Sequence, residues 1–321
     1  MKEILFIRNN IDKWRATEEK VEQARMVSPD ELADLYTDLT ADLAFAQTHY
    51  PTSRITAYLN NLASALHNEI YRNKRERWSR LYTFWSQEVP DVMWRERRLL
   101  LISFIIFMVS ALVGVISTLG NPEFPRTIMG DAYMDMTLDN IAKGNPMGVY
   151  GSTSESTMFL AITFNNIMVS FNMFVLGILT SFAPGFSLFR NGIMIGCFDT
   201  FFYQQGMLSE CFLATMLHGT LELSAIVVAG AAGLAMGNGW LFPGTYTRME
   251  SFKRGARRGL KIVVGTVPLF IIAGFIESFL TRHTDMGDGW RIAIISLSAL
   301  FIVFYFIYLP FKRNHNANHS S

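Results

Sequence analysis

From Leu99 to Leu119 the chain carries no ionisable side chain, and comparable apolar stretches recur down to its C-terminal end. About 20 apolar residues in a helix cross a hydrocarbon layer of ~30 Å, because only an element that satisfies its own backbone hydrogen bonds is tolerated there. A soluble core can hide one such run, but not five or six. The predicted spans are Leu99–Leu119, Met158–Phe182, Phe186–Gln205, Cys211–Met236, Leu260–Leu280 and Trp290–Phe311. Pro184-Gly185 is expected to end the second. The third is the most polar, holding Arg190 and Asp199, and reads as either a full crossing or a tilted or broken helix. The fold class is therefore all-α: a polytopic membrane bundle of about six helices behind an N-terminal soluble helical domain.

Residues 1–98 are densely charged and lack a secretory signal. Ser28-Pro29-Asp30-Glu31 has the order of a helix start, with a cap, a proline and acids in the first turn. Leu32, Leu35, Leu39, Leu43 and Ala46 then lay an apolar stripe on a helix that ends near Tyr50-Pro51. A second stripe, Ile55, Leu59, Leu62 and Leu66, follows Thr52-Ser53 and leads into the basic stretch 72–80. Trp78, Tyr82, Phe84, Trp85 and Trp94 come just before the first span, as suits a membrane–water interface. The division expected is 1–98 as a cytoplasmic helical domain, 99–311 as the membrane domain with an outer loop at 120–157, and 312–321 as a flexible tail. Arg95, Arg97 and Arg98, the loop residues Arg248, Lys253, Arg254, Arg257 and Arg258, and Lys312 and Arg313 all fall on one side of a six-span chain. The positive-inside rule then puts both termini in the cytoplasm.

A net charge of +1 and the lack of an uninterrupted basic tract away from the membrane flanks argue against nucleic acid as a partner. Cys197 and Cys211 form neither a disulfide framework nor a metal cluster and read as buried thiols.

Three stretches resemble the stage II sporulation protein M family: Asn165-Asn166-Ile167-Met168-Val169-Ser170-Phe171 through Leu176-Gly177-Ile178; Asn191-Gly192-Ile193-Met194-Ile195-Gly196; and His218-Gly219-Thr220-Leu221-Glu222-Leu223 with Ala225-Ile226 and Ala229–Leu234. The resemblance spans roughly residues 95–311. It implies an all-helical protein of the bacterial inner membrane. The sporulation member works with peptidoglycan-degrading partners, and relatives elsewhere are encoded beside RDD-type membrane proteins and MoxR-type ATPases. The N-terminal region is similar to the longer, non-sporulating members.

His218 and Glu222, four apart, share a helix face and can meet. An ionisable group in hydrocarbon is costly and turns toward the bundle interior. Ala225, Ala229, Gly233 and Gly237 continue that face, and small residues at this spacing let helix backbones approach closely. The contact is either intramolecular or the seam of a homodimer. Asn165 and Asn172 share a face of the second span, with Asn166 turned about 100° away. Asn165, Asn166, Asn172, Asp199, His218 and Glu222 thus form the candidate intramembrane polar cluster, as structural hydrogen bonds or as the lining of a cavity. Asp199 needs a partner, for which Asn165, Asn166 and His218 are candidates. Glu277 is read as reaching water near the outer end of the fifth span.

The helical zinc motif asks for two histidines at i and i+4, and this stretch has one, so no metal site is expected. Residues 130–136 of the outer loop alternate acidic and apolar residues, suiting a short amphipathic helix or a docking surface, without a calcium-loop pattern. No nucleophile set, phosphate-binding glycine loop or metal set is complete, so the expected role is non-enzymatic and without cofactor. That role is a scaffold or assembly factor for other membrane or envelope proteins. The alternative is a small transporter or channel using the polar cluster.

Overall fold

The computed structural model describes residues 3–22, 27, 29–71, 79–144, 155–281 and 286–319. Ser28, the basic stretch from Arg72 to Trp78, residues 145–154 of the expected outer loop and His283 lie outside them. The described residues are helical and contain no strand. They form two units, divided between Arg80 and Leu81.

The first unit holds α1 (Glu3–Glu22), α2 (Pro29–His49) and α3 (Arg54–Tyr71). The α2 and α3 stripes read from sequence converge on one core, in which Leu39, Leu59 and Leu66 are fully buried. The helix α1 has no counterpart in the sequence reading. Its stripe, Phe6, Trp14 and Thr17, is sparse among charges, yet all three residues are buried. The Trp14 indole donates to Asp42 on α2 at 2.9 Å, and Tyr58 on α3 donates to Glu18 on α1 at 3.0 Å.

The second unit begins with α4 (Ser79–Thr83), a π-helical turn over Phe84–Glu88 and α5 (Val89–Arg95). It continues through α6 (Arg97–Gly120), α7 (Phe124–Met129), α8 (Asp131–Ala142), α9 (Glu155–Leu176), α10 (Phe182–Gln204), α11 (Leu208–Leu241) and α12 (Arg248–Phe275). A π-helical segment, Ile276–Thr281, extends α12, and α13 (Asp288–Val303) passes through a π turn into α14 (Leu309–His319). Stretches 81–98, grouped by sequence with the soluble domain, belong to this unit: Val89 and Met93 are buried in its core, and the Trp85 carbonyl accepts from Tyr305 at 2.7 Å. Residues 312–319, expected as a flexible tail, continue the last helix, and Arg313 pairs with Asp91 at 2.8 Å.

Five helices are long and apolar enough to cross a membrane: Arg97–Gly120, Glu155–Leu176, Leu208–Leu241, Arg248–Thr281 and Asp288–Asn316. The first of them, α6, has a burial pattern inverted relative to a soluble helix. On α6 the buried residues are Ser103, Phe107, Ser110, Gly114 and Thr118, while Leu101, Ile105, Met108, Leu112 and Ile116 face outward. Lipid is as apolar as leucine, so what gathers these helices is close backbone packing and buried hydrogen bonds. Ser103 donates to the Val227 carbonyl of α11 at 2.5 Å.

The sixth expected span is α10, more polar than the others. It is unbroken over 23 residues, or about 34 Å at 1.5 Å per residue. It runs parallel to α6 from Gly185 beside Ile106 to Gln204, which donates to the Thr118 carbonyl at 3.2 Å. Pro184 stands in its first turn, where a missing N–H costs nothing, instead of ending the preceding helix, which stops at Leu176. A Cβ placed on Gly192 would collide with Ser110, and one on Gly196 with the Ala111 carbonyl, so these glycines bring the two backbones together.

The basic helix ends meet on one side of the unit. Arg258 pairs with Glu96, Lys261 with Glu88 at 2.8 Å, and Arg313 with Asp91. At the opposite end, α8 takes in residues read from sequence as a short amphipathic helix or a docking surface, and it lies against its own chain. Met134 packs with Phe201 and Phe202 of α10 and with Cys211 and Ala214 of α11. Arg126 bridges Asp135 at 2.6 Å and Asp131 at 3.3 Å, and those hydrogen bonds raise its pKa further.

Candidate functional site: an intramembrane carboxylate–imidazole cluster

The central helix α11 carries the conspicuous polar pair, and its small residues decide what surrounds it. Ala225 and Ala229 are fully buried. A Cβ on Gly233 would strike the Met173 carbonyl and Pro184, and one on Gly237 would strike Ser181. The stripe read from sequence therefore packs within the chain, on the end of α9 and the start of α10. A second row of contacts, Gly255 and Gly259 of α12 on the Ala235 and Ala232 carbonyls, closes α12 antiparallel on α11.

That antiparallel seam brings the end of α12 onto the polar pair. His218 is buried at 5% exposure. Its Nε2 lies 3.7 Å from Glu277 Oε1, and its Nδ1 lies 3.2 Å from Thr281 Oγ1. Thr281 Oγ1 in turn donates to the Ile276 carbonyl at 3.4 Å. One ligand-type atom from each of His218, Glu222 and Glu277 falls within 4.8 Å of the others. Both Glu277 and Thr281 belong to the π-helical segment, whose wider turn sets these two side chains on His218 together.

From the other side α9 contributes Asn166, buried and close to the Glu222 carboxylate. Asn165 donates to Asn166 at 3.4 Å. A cavity of about 360 Å³ opens beside these groups, lined by Ala161, Ile162, Asn165, Asn166, Glu222 and Glu277.

Of the residues singled out from sequence, the fold assembles Asn165, Asn166, His218 and Glu222. Asn172 stays on the exposed outer face of α9, away from the cavity wall. Asp199 does not join either: it sits half-buried on α10, within electrostatic range of Cys211, and none of its three candidate partners is paired with it among the described contacts. Glu277, assigned to water by its position near a helix end, is instead a central member, with a side chain 12% exposed. Thr281 was not foreseen at all. A hint was available, since a glutamate and a threonine four apart close the fifth span, but nothing local says which way they turn.

Residues 103–282 match the family described as Stage II sporulation protein M, and residues 4–72 match a domain of unknown function, DUF8413. No curated protein and no solved structure matches the chain.

Proposed function

Since the chain belongs to the stage II sporulation protein M family, with several helices apolar enough to span a membrane, we propose that it is a non-enzymatic scaffold that recruits other membrane proteins through the outward face of α9. The observation that carries this reading is the exposure of Asn165 and Asn172, seven residues apart on one face of a membrane-spanning helix. Between and beside them Phe164, Met168 and Val175 are also exposed. Asn172 has no hydrogen-bond partner among the described contacts, and pairing such an amide with a polar group of a second helix recovers roughly 0.6 to 2 kcal/mol. A face of large apolar residues with two amides in register suits a partner helix better than lipid. In this reading the protein lies in a bacterial inner membrane with both termini cytoplasmic. The clustering of Arg258, Lys261 and Arg313 with their acidic partners at one end of the bundle supports that orientation.

The test is site-directed photocrosslinking in native membranes from Met168, at the centre of the face. We expect a crosslink to a different membrane protein that weakens at least several-fold in Asn165→Leu/Asn172→Leu. A probe at Met168 that crosslinks only lipid overturns the scaffold. A second reading, a small transporter or channel, is favoured by the cavity bordered by Glu222 and Glu277. Ion flux into proteoliposomes that disappears in Glu222→Gln would support it, and flux equal to that of empty vesicles would remove it.

A further inference from the structure

We propose that His218, Glu222 and Glu277 form a binding site for one divalent transition-metal ion of the zinc class. The inference stands apart from the scaffold reading, because it rests on the cluster's interior and not on the outer face of α9.

The hydrogen-bond chain sets the direction of the imidazole. Thr281 has one hydroxyl proton and directs it to the Ile276 carbonyl. Its oxygen can then accept from His218 Nδ1, 3.2 Å away, in the tautomer with the imidazole proton on Nδ1. In that tautomer Nε2 is the metal-ligating nitrogen, and it faces Glu277 Oε1 at 3.7 Å. An ion held between that nitrogen and the Glu277 carboxylate would bond to both. Metal-bound histidines are held in this way, with the far N–H donated to a neighbouring oxygen that fixes tautomer and ring orientation.

The distances suit an ion. Zinc bonds to nitrogen and oxygen of about 2.0–2.2 Å place donor atoms roughly 3.3–3.6 Å apart around a tetrahedron. The Nε2–Oε1 pair is already at 3.7 Å, and all three donors lie within 4.8 Å of one another. Small rotations of two glutamate side chains close the remainder.

The charge balance suits an ion. Two carboxylates in a membrane interior are costly, and a dication with two carboxylates and a neutral imidazole sums to zero. The imidazole selects a borderline transition metal over magnesium or calcium, which prefer oxygen alone. Asn166 acts as an outer partner of the Glu222 carboxylate. The fourth coordination position faces the cavity, where a water or a donor from a bound molecule can enter. The sequence expectation of no metal counted histidines; the fold substitutes Glu277 for the second histidine.

The experiment uses the full-length chain without a histidine tag, stripped with chelator in detergent and titrated with Zn²⁺ alone. We expect one tight equivalent per chain by elemental analysis and calorimetry, weakened at least 10-fold in Glu222→Gln and in Glu277→Gln. Both variants keep every histidine, so binding that is equally tight in them assigns the zinc to peripheral histidines and overturns the proposal. Loading the wild-type chain with one equivalent of Co²⁺ provides a reading that does not depend on variant folding. Visible d–d bands of a four- or five-coordinate site are expected, and a six-coordinate aqueous spectrum overturns it.

Discussion

Replacing Gly196 by alanine tests how the second unit is held together. The alanine methyl has no room: at the Cβ position it would overlap the Ala111 carbonyl carbon and oxygen and sit 3.0 Å from the Val115 nitrogen. These are backbone atoms of a packed helix, so no side chain can swing aside, and α10 must move outward from α6. A shift on the order of 1 Å forfeits a quarter to a half of the dispersion attraction of each contact along the seam. Overpacking of this kind costs about 1–3 kcal/mol. Alanine returns roughly 0.8–1 kcal/mol as the better helix former. The net expectation is a loss of about 0–2 kcal/mol. Gly185→Ala, on the same helix, is the internal control: its new methyl would meet only Ile106 Cδ1, at 3.9 Å. It should be neutral or slightly stabilising. Both are measured by reversible unfolding in mixed detergent and dodecyl sulfate micelles, followed by far-ultraviolet circular dichroism. Equal stability of the two variants would refute the close-contact reasoning, because helix propensity alone treats them alike.

Thr247→Ala removes the side chain that accepts from the Glu250 amide at 3.3 Å and opens α12. It should cost about 1 kcal/mol and speed hydrogen exchange at the first turn of that helix, without altering the dichroism of the whole. Trp14→Ala empties a fully buried site and deletes the bond to Asp42. A loss of roughly 3–5 kcal/mol should leave residues 3–71 open to trypsin while the fragment from 81 onward stays intact.

How much of the candidate site was legible varies by residue. His218 and Glu222 lie one helical turn apart on the same chain segment, so ordinary α-helical periodicity put them together. Asn165 and Asn166 differ by 100° in direction, and only their neighbours decide which one reaches Glu222. Asn166 does, and Asn165 lines the cavity mouth. Asp199 looked equivalent in the sequence, but it lies one helical turn beyond Gly196, which with Gly192 packs on α6, and it sits near Cys211.

Apolar runs without charge determine the membrane helices, because the cost of an unsatisfied backbone in hydrocarbon is local and leaves one solution. The basic flanks, the two stripes of α2 and α3, and the close-packing glycines are equally local statements, readable one segment at a time. What the tertiary structure alone decided is the third acid. Glu277 reaches His218 because a π-helical turn re-aims the end of α12 and because glycines let α12 lie close on α11. Helix periodicity assumes a constant turn and says nothing about the partner across the seam. The polar pair was visible in the sequence; the three-sided cluster exists only where two distant segments are brought into contact.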